Sequence, residues 1–152
     1  MIPWIYNNKY YLIECCYEKI SINNMLEDEC YDNLDFPPEG NHYCGYLYKD
    51  NYLCVSGTPN SAIRIWDLIK KVIIKDIKID SYCGYSIIPW NNTFLIVGCR
   101  EGFVVVDIEE KKMMKKIDIK TELYGLKIIK MDEYGECLFT SDHYGNIRMF
   151  SQ

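Results

Sequence analysis

Residues 43–46 and 82–85 spell the same word, Tyr-Cys-Gly-Tyr, and the chain repeats itself after each copy. From the first copy runs YCGYLYKDNYLCVSGTPNSAIRIWDLIKKVIIKDIKID. From the second runs YCGYSIIPWNNTFLIVGCREGFVVVDIEEKKMMKKIDIK. A cysteine beside a glycine in a loop is a signal for redox or metal chemistry, whereas a word recurring at a fixed interval is a signal for architecture. The residues that follow decide for architecture. Each copy continues with an apolar run (53–55; 94–97) and a short turn rich in small residues. An alternating strand (63–67; 103–107) and a lysine-punctuated strand (72–79; 113–119) complete it.

A third copy starts at LYGLKIIKMDEYGECLFTSDHYGNIRMF, with Gly125 in the place of Gly45 and Gly84, so the glycines recur at intervals of 39 and 41 residues. A fainter copy opens the chain: Ile2-Pro3-Trp4 with Asn7-Asn8 echoes Ile88-Pro89-Trp90 with Asn91-Asn92. A unit of about 40 residues holding four short strands is the period of a propeller blade. The expected fold is therefore all-β, with four blades at approximately 1–34, 43–80, 82–120 and 124–152 making one propeller segment over 1–152. The last copy ends after its third strand, so the fourth blade is expected to lack its outer strand. In such an arrangement the Tyr-Cys-Gly-Tyr word lies on the inner strand, where blades crowd together and a glycine admits close backbone approach.

The words around this period resemble the WD-repeat family. SGTPNSAIRIWDL carries a small-residue strand end, a tight turn and an alternating strand closing on Trp66-Asp67; VGCREGFVVVDI and TSDHYGNIRMF keep the pattern without the tryptophan. The resemblance covers residues 43–150 closely and 2–34 loosely. No Gly-His dipeptide precedes any copy, and Asn60, Glu101 and Tyr144 stand where the family carries a turn aspartate. The family's His–Asp–Ser–Trp tetrad is thus incomplete in every blade.

Composition narrows the function classes. Apolar residues at 49% and charged residues at 26% are globular proportions rather than those of a disordered chain. A net charge of −5 disfavours gripping a phosphate backbone, so nucleic acid is an unlikely partner. The lysine clusters at 70–71 and 111–116 are flanked by acidic residues and read as solvated strand ends, as do the turn carboxylates Glu109-Glu110 and Asp132-Glu133. The longest apolar runs fall well short of a membrane span. The start has no basic segment leading an apolar one, and five of the eight cysteines (Cys15, Cys16, Cys54, Cys99, Cys137) fall within apolar strands. That pattern suits reduced thiols, so a cytoplasmic location, or a nuclear one, is expected.

No cofactor or metal is expected. There is no C-x-x-C pair, His42 and His143 are far apart, and no nucleophile elbow, Walker loop or Gly-x-Gly-x-x-Gly occurs. His143 beside Asp142 in a turn could orient a general base, but no copy supplies a serine or cysteine to pair with it. Phosphoinositide-binding propellers carry a Phe-Arg-Arg-Gly word that is absent here. The three arginines are dispersed, with Arg64 and Arg148 at one site in two blades, which reads as surface alternation.

The resemblance implies a non-catalytic scaffold or assembly subunit that binds a protein through a propeller rim. The alternatives are a propeller part of a larger enzyme or kinase, and a lipid- or RNA-binding propeller. The expected contacts lie on the rim nearer the start of the inner strands: Thr58, Pro59, Asn60, Asp80, Ser81, Tyr82, Arg100, Glu101, His143 and Tyr144. Four degenerate blades with an unfinished edge read as part of a ring. Three arrangements fit: a fragment of a longer propeller, a short protein completed by a second copy or another protein, or a small ring closed on itself. The acidic, proline-rich stretch 25–42 reads as an altered fourth strand of the first blade followed by a solvated loop.

Overall fold

The computed structural model describes residues 1–15, 19–26, 30–35, 44–57, 62–79 and 81–151. Among them the strands form four antiparallel sheets, each taken in chain order from one edge to the other. Sheet one is β1 (Ile2–Tyr6), β2 (Lys9–Cys15), β3 (Lys19–Asn24) and β4 (Cys30–Asp35). Sheet two is β5 (Cys44–Tyr48), β6 (Tyr52–Ser56), β7 (Ala62–Asp67) and β8 (Val72–Lys78). Sheet three is β9 (Cys83–Pro89), β10 (Phe94–Cys99), β11 (Gly102–Asp107) and β12 (Lys112–Asp118). Sheet four has three strands, β13 (Leu123–Met131), β14 (Gly135–Asp142) and β15 (Ile147–Phe150). The fourth blade therefore ends at its third strand. The altered fourth strand read into the acidic stretch is β4; residues 36–42, the loop that follows it, lie outside the described residues.

Turn chemistry explains why the strands stop where they do. Tyr6 pairs with Lys9, leaving a two-residue turn whose Asn7 (φ 50°) and Asn8 (φ 60°) are both left-handed. Asparagine tolerates that region, and the resulting twist matches the flanking strands. The aspartates closing the third strands of sheets two and three organise the turns that follow. Asp67 accepts hydrogen bonds at Oδ1 from the backbone N–H of Ile69 (3.0 Å) and Lys70 (2.9 Å), and Asp107 accepts one from Glu110 (2.9 Å). Lys71 and Lys111 then take left-handed φ values of 58° and 53°. The aspartate of Trp66-Asp67 is thus a turn cap.

The inner strands β1, β5, β9 and β13 pack in sequence, and no comparable contact leads from β13 back to β1. Three apolar seams hold the sheets face to face. Between sheets one and two lie Trp4, Ile13, Ile20 and Ile22 against Leu53, Val55 and Trp66. Between sheets two and three lie Cys54, Ile63, Ile65 and Ile77 against Leu95, Val97, Val104 and Val106. Between sheets three and four lie Ile96 and Phe103 against Leu123, Leu126 and Leu138. Strand alternation is what makes this possible: in β6, Leu53 and Val55 face one neighbour while Cys54 faces the other. Burial pushes the Cys54 thiol up to about 12, so it behaves as a small apolar group.

The glycine of the repeated word serves the close approach expected of it. A Cβ on Gly45 would sit 3.0 Å from Cys15 Sγ and from Ile2 Cδ1 of the neighbouring sheet. Arg64 and Arg148 depart from surface alternation. Both turn toward the preceding sheet: Arg64 is 9% exposed and pairs in a fork with Asp76 at 2.8 Å for both contacts, while Arg148 Nη1 reaches Asp142 Oδ2 at 3.1 Å. A guanidinium is tolerated there because a carboxylate meets it.

Candidate functional site

The rim at which the inner strands begin collects the turns around residues 81–82, 100–101, 120–122 and 143–146. Of the expected contacts, Ser81, Tyr82, Arg100, Glu101, His143 and Tyr144 sit on this rim; Thr58, Pro59, Asn60 and Asp80 lie outside the described residues. Tyr82 and Arg100 are adjacent, since the Arg100 backbone N–H donates to the Tyr82 carbonyl at 2.8 Å. Ser81 is buried, whereas Tyr82 is exposed. The Glu101 carbonyl accepts from the backbone N–H of Ile119 (2.8 Å) and Lys120 (2.9 Å), and its carboxylate meets Lys116 Nζ at 2.9 Å. That pairing raises the Lys116 ammonium's pKa.

The 143–146 turn is built on one carboxylate. Asp142 Oδ1 accepts the backbone N–H of Tyr144 (3.0 Å) and Asn146 (2.9 Å). Its Oδ2 accepts from Asn146 Nδ2 (3.0 Å), Thr121 Oγ1 (3.3 Å) and Arg148 Nη1 (3.1 Å). Burial alone would raise this carboxyl, but the bonds from Asn146 and Tyr144 and the Arg148 charge outweigh it and hold the pKa at about 2. The network joins the β12–β13 loop, the end of β14 and the start of β15, and so locks the fourth blade without the family's tetrad. None of the Asp142 partners is His143, so the Asp–His pair of a general base is not assembled.

What the turn presents instead is an aromatic run. Tyr85 stacks on Tyr124 across the sheet three–four seam (4.4 Å between ring centroids), Tyr124 meets His143 (6.4 Å), and His143 lies against Tyr144 (3.6 Å). Tyr124 and Tyr144 are exposed, Tyr144 at 76%. Rings held this way offer apolar area and π faces at little cost in rotamer freedom. Tyr85 and Tyr124 were not among the sequence-expected contacts. Their signal was in the repeat: Tyr85 is the second tyrosine of the Cys-Gly word, and Tyr124 precedes its degenerate copy at Gly125.

The opposite rim holds a hollow of about 420 Å³ between sheets two and three, lined by Tyr48, Lys49, Tyr52, Asp67, Lys70 and Glu109 among others. Glu109, expected to be merely solvated, bridges the seam: the Tyr48 hydroxyl and Lys49 Nζ, the latter at 2.5 Å, both donate to its Oε1. Hydrogen bonding to Lys49 and then Tyr48 holds the Glu109 carboxyl below its ordinary range.

No protein-family profile matches the chain, and no curated protein matches it by sequence. Its fold is found widely among solved structures. The WD40 β-propeller domain of Doa1 superposes with a TM-score of 0.75 at 12% identity, over 95% of this chain and 47% of that one. A chain of the mitotic checkpoint complex gives 0.72 at 14% identity, over 97% and 44%. The computationally designed Ika4 protein gives 0.69 at 12% identity, over 98% of this chain and 88% of the designed one. The chain thus spans less than half the length of the two WD40 and checkpoint-complex chains and nearly all of the designed one. Its fold is that of four consecutive β-propeller blades similar to those of the Doa1 WD40 domain, the last with three strands among the described residues.

Proposed function

We propose that the chain is a non-catalytic protein-interaction scaffold, acting in the cytoplasm or nucleus, which docks a protein partner on the rim carrying Tyr82, Arg100, Glu101, His143 and Tyr144. Thr58, Pro59, Asn60 and Asp80, which lie outside the described residues, belong to the same proposed contact. Ser81 supports it from beneath. The observation that carries the reading is the aromatic run from Tyr85 to Tyr144, exposed at its outer end and supported by the Asp142 lock. Exposed aromatics on a prearranged turn are the usual anchors of protein contacts. WD40-type folds commonly serve as such scaffolds, with function placed in loops on a rigid frame.

The test is a triple substitution, Asn60→Ala, Tyr82→Ala and Tyr144→Ala, made in the chain used to capture cross-linked partners. A partner held by the parent chain and lost from the variant supports the rim. A partner bound equally by both moves the function to another surface.

A further inference from the structure

Every internal seam pairs two kinds of face. The leading face of one sheet, built from the middle of its second strand and alternate residues of its third, meets the trailing face of the next. On the covered leading faces these positions are Tyr11, Ile22 and Asn24 in sheet one, Cys54, Ile63 and Ile65 in sheet two, and Ile96, Phe103 and Val105 in sheet three. All nine are at most 8% exposed. The strand pairings put Phe139, Ile147 and Met149 at the same positions in sheet four. They keep the apolar character, yet Ile147 is 73% and Met149 45% exposed. An open hollow of about 290 Å³ runs along this face beside Lys127, Ile129, Phe139 and Ile147.

At the other end of the fan, sheet one has an uncovered trailing face. Tyr10 and Leu12 occupy the places of Leu53 and Val55, which are fully buried in sheet two. Tyr10 is 53% and its cross-strand neighbour Ile5 61% exposed. The chain therefore leaves open one face of each kind, and the two are complementary by the rule its own seams obey. By alternation Lys127 stands on the leading face, while Glu14, bonded by Asn23 Nδ2 at 3.4 Å, and Lys19 share the trailing one. The chain covers 47% of the Doa1 propeller chain and 44% of the checkpoint-complex chain, which leaves length for a second fan of equal span.

We propose that the chain pairs with a second copy of itself, the leading face of sheet four on the trailing face of sheet one, twice around a two-fold axis. This concerns the ends of the fan, not the rim, and stands or falls separately from the partner reading above.

The test is light scattering coupled to size exclusion on the chain, on Ile147→Glu (leading face) and on Ile5→Glu (trailing face). Both side chains are exposed within one copy, so both variants are expected to keep the parent's far-ultraviolet spectrum. The parent is expected at twice its 18.0 kDa. Each variant alone is expected to pair at least about tenfold more weakly, because a charge then enters both seams. An equimolar mixture of the two regains pairing, since one of its two seams has both faces intact. A monomeric parent overturns the proposal and gives the faces to a further segment or a different protein, and a longer open assembly overturns the closed ring. Unchanged pairing by Ile5→Glu, or a mixture no better paired than either variant, overturns the leading-on-trailing arrangement.

Discussion

The seam between sheets two and three and the seam between sheets three and four use the same strand positions, but they are filled differently. In the first, four strands face four, and apolar side chains from β6, β7 and β8 close against β10 and β11 with little or no exposure, the hollow of about 420 Å³ lying at the rim with Tyr48, Lys70 and Glu109. In the second, four strands face three. Phe103 and Phe150 meet edge to face at 5.5 Å, but a hollow of about 270 Å³ lined by Trp90, Val105, Ile117, Leu138 and Phe150 remains toward the outer edge. The difference shows what the outer strand of a blade contributes. In sheet two it adds one buried apolar side chain, Ile77, to the seam while most of the strand stays exposed.

Equivalent leucines measure that difference directly. Leu95 lies in the closed seam at 1% exposure and Leu138 beside the hollow at 9%. Leu95→Ala should cost about 4 kcal/mol, transfer loss plus an unrelieved cavity. Leu138→Ala should cost about 2 kcal/mol, because the space it vacates merges with one already present and open to water. Urea unfolding of the two variants checks this, and equal losses would break the comparison.

The Asp142 lock is the second way to test it, since it ties the three-stranded sheet together. Its carboxyl ionises at about 2 in the fold against an ordinary 3.8. The folded form binds its proton less readily than the unfolded chain, so the lock's contribution is complete above pH 3.8 and is lost as pH falls from there to about 2. Asp142→Asn should lower the thermal midpoint at neutral pH and flatten the pH dependence within that acid window. An unaltered acid slope would assign the holding of sheet four to its apolar contacts alone.

Much of this architecture was legible in the residues. The repeat placed all four blades, because period and alternation are local properties that each strand carries with it. Contacts between sheets were harder to read. Glu109 looked like a solvated turn carboxylate because nothing near it in sequence reveals Tyr48 and Lys49 across the seam. Arg64 and Arg148 looked like surface residues because alternation separates two faces without saying which of them a neighbouring sheet covers. The rim was legible as a set of turns, and Tyr82, Arg100, Glu101, His143 and Tyr144 do gather there. The Tyr85–Tyr124 stack beside His143 depends on the angle between two sheets, which no spacing encodes.

A smaller gain is expected from Thr140, whose hydroxyl is buried without a partner in the three–four seam. The equivalent positions in sheets two and three carry Val55 and Val97. Thr140→Val keeps the shape and removes an unsatisfied polar atom, so it should stabilise the chain by about 1 kcal/mol. A loss instead would mean that the hydroxyl has a water partner reached through the hollow, and that this seam is wetter than its lining suggests.

The smallest effect tests whether apolar packing or the polar clasp distinguishes the two seams. Only the two–three seam has Glu109 accepting from both Tyr48 and Lys49, and that cluster could be credited with its tighter closure. The exposure argues otherwise: the side chains of Lys49 and Glu109 are 55% and 48% exposed, so water and salt screen the pair while two long side chains lose rotamer freedom to form it. Glu109→Gln keeps the shape and an acceptor oxygen, and should move the thermal midpoint by no more than about 1 °C, with or without salt. A fall of several degrees that added salt diminishes would reverse the assignment, making the clasp, not apolar packing, what distinguishes this seam from its neighbour.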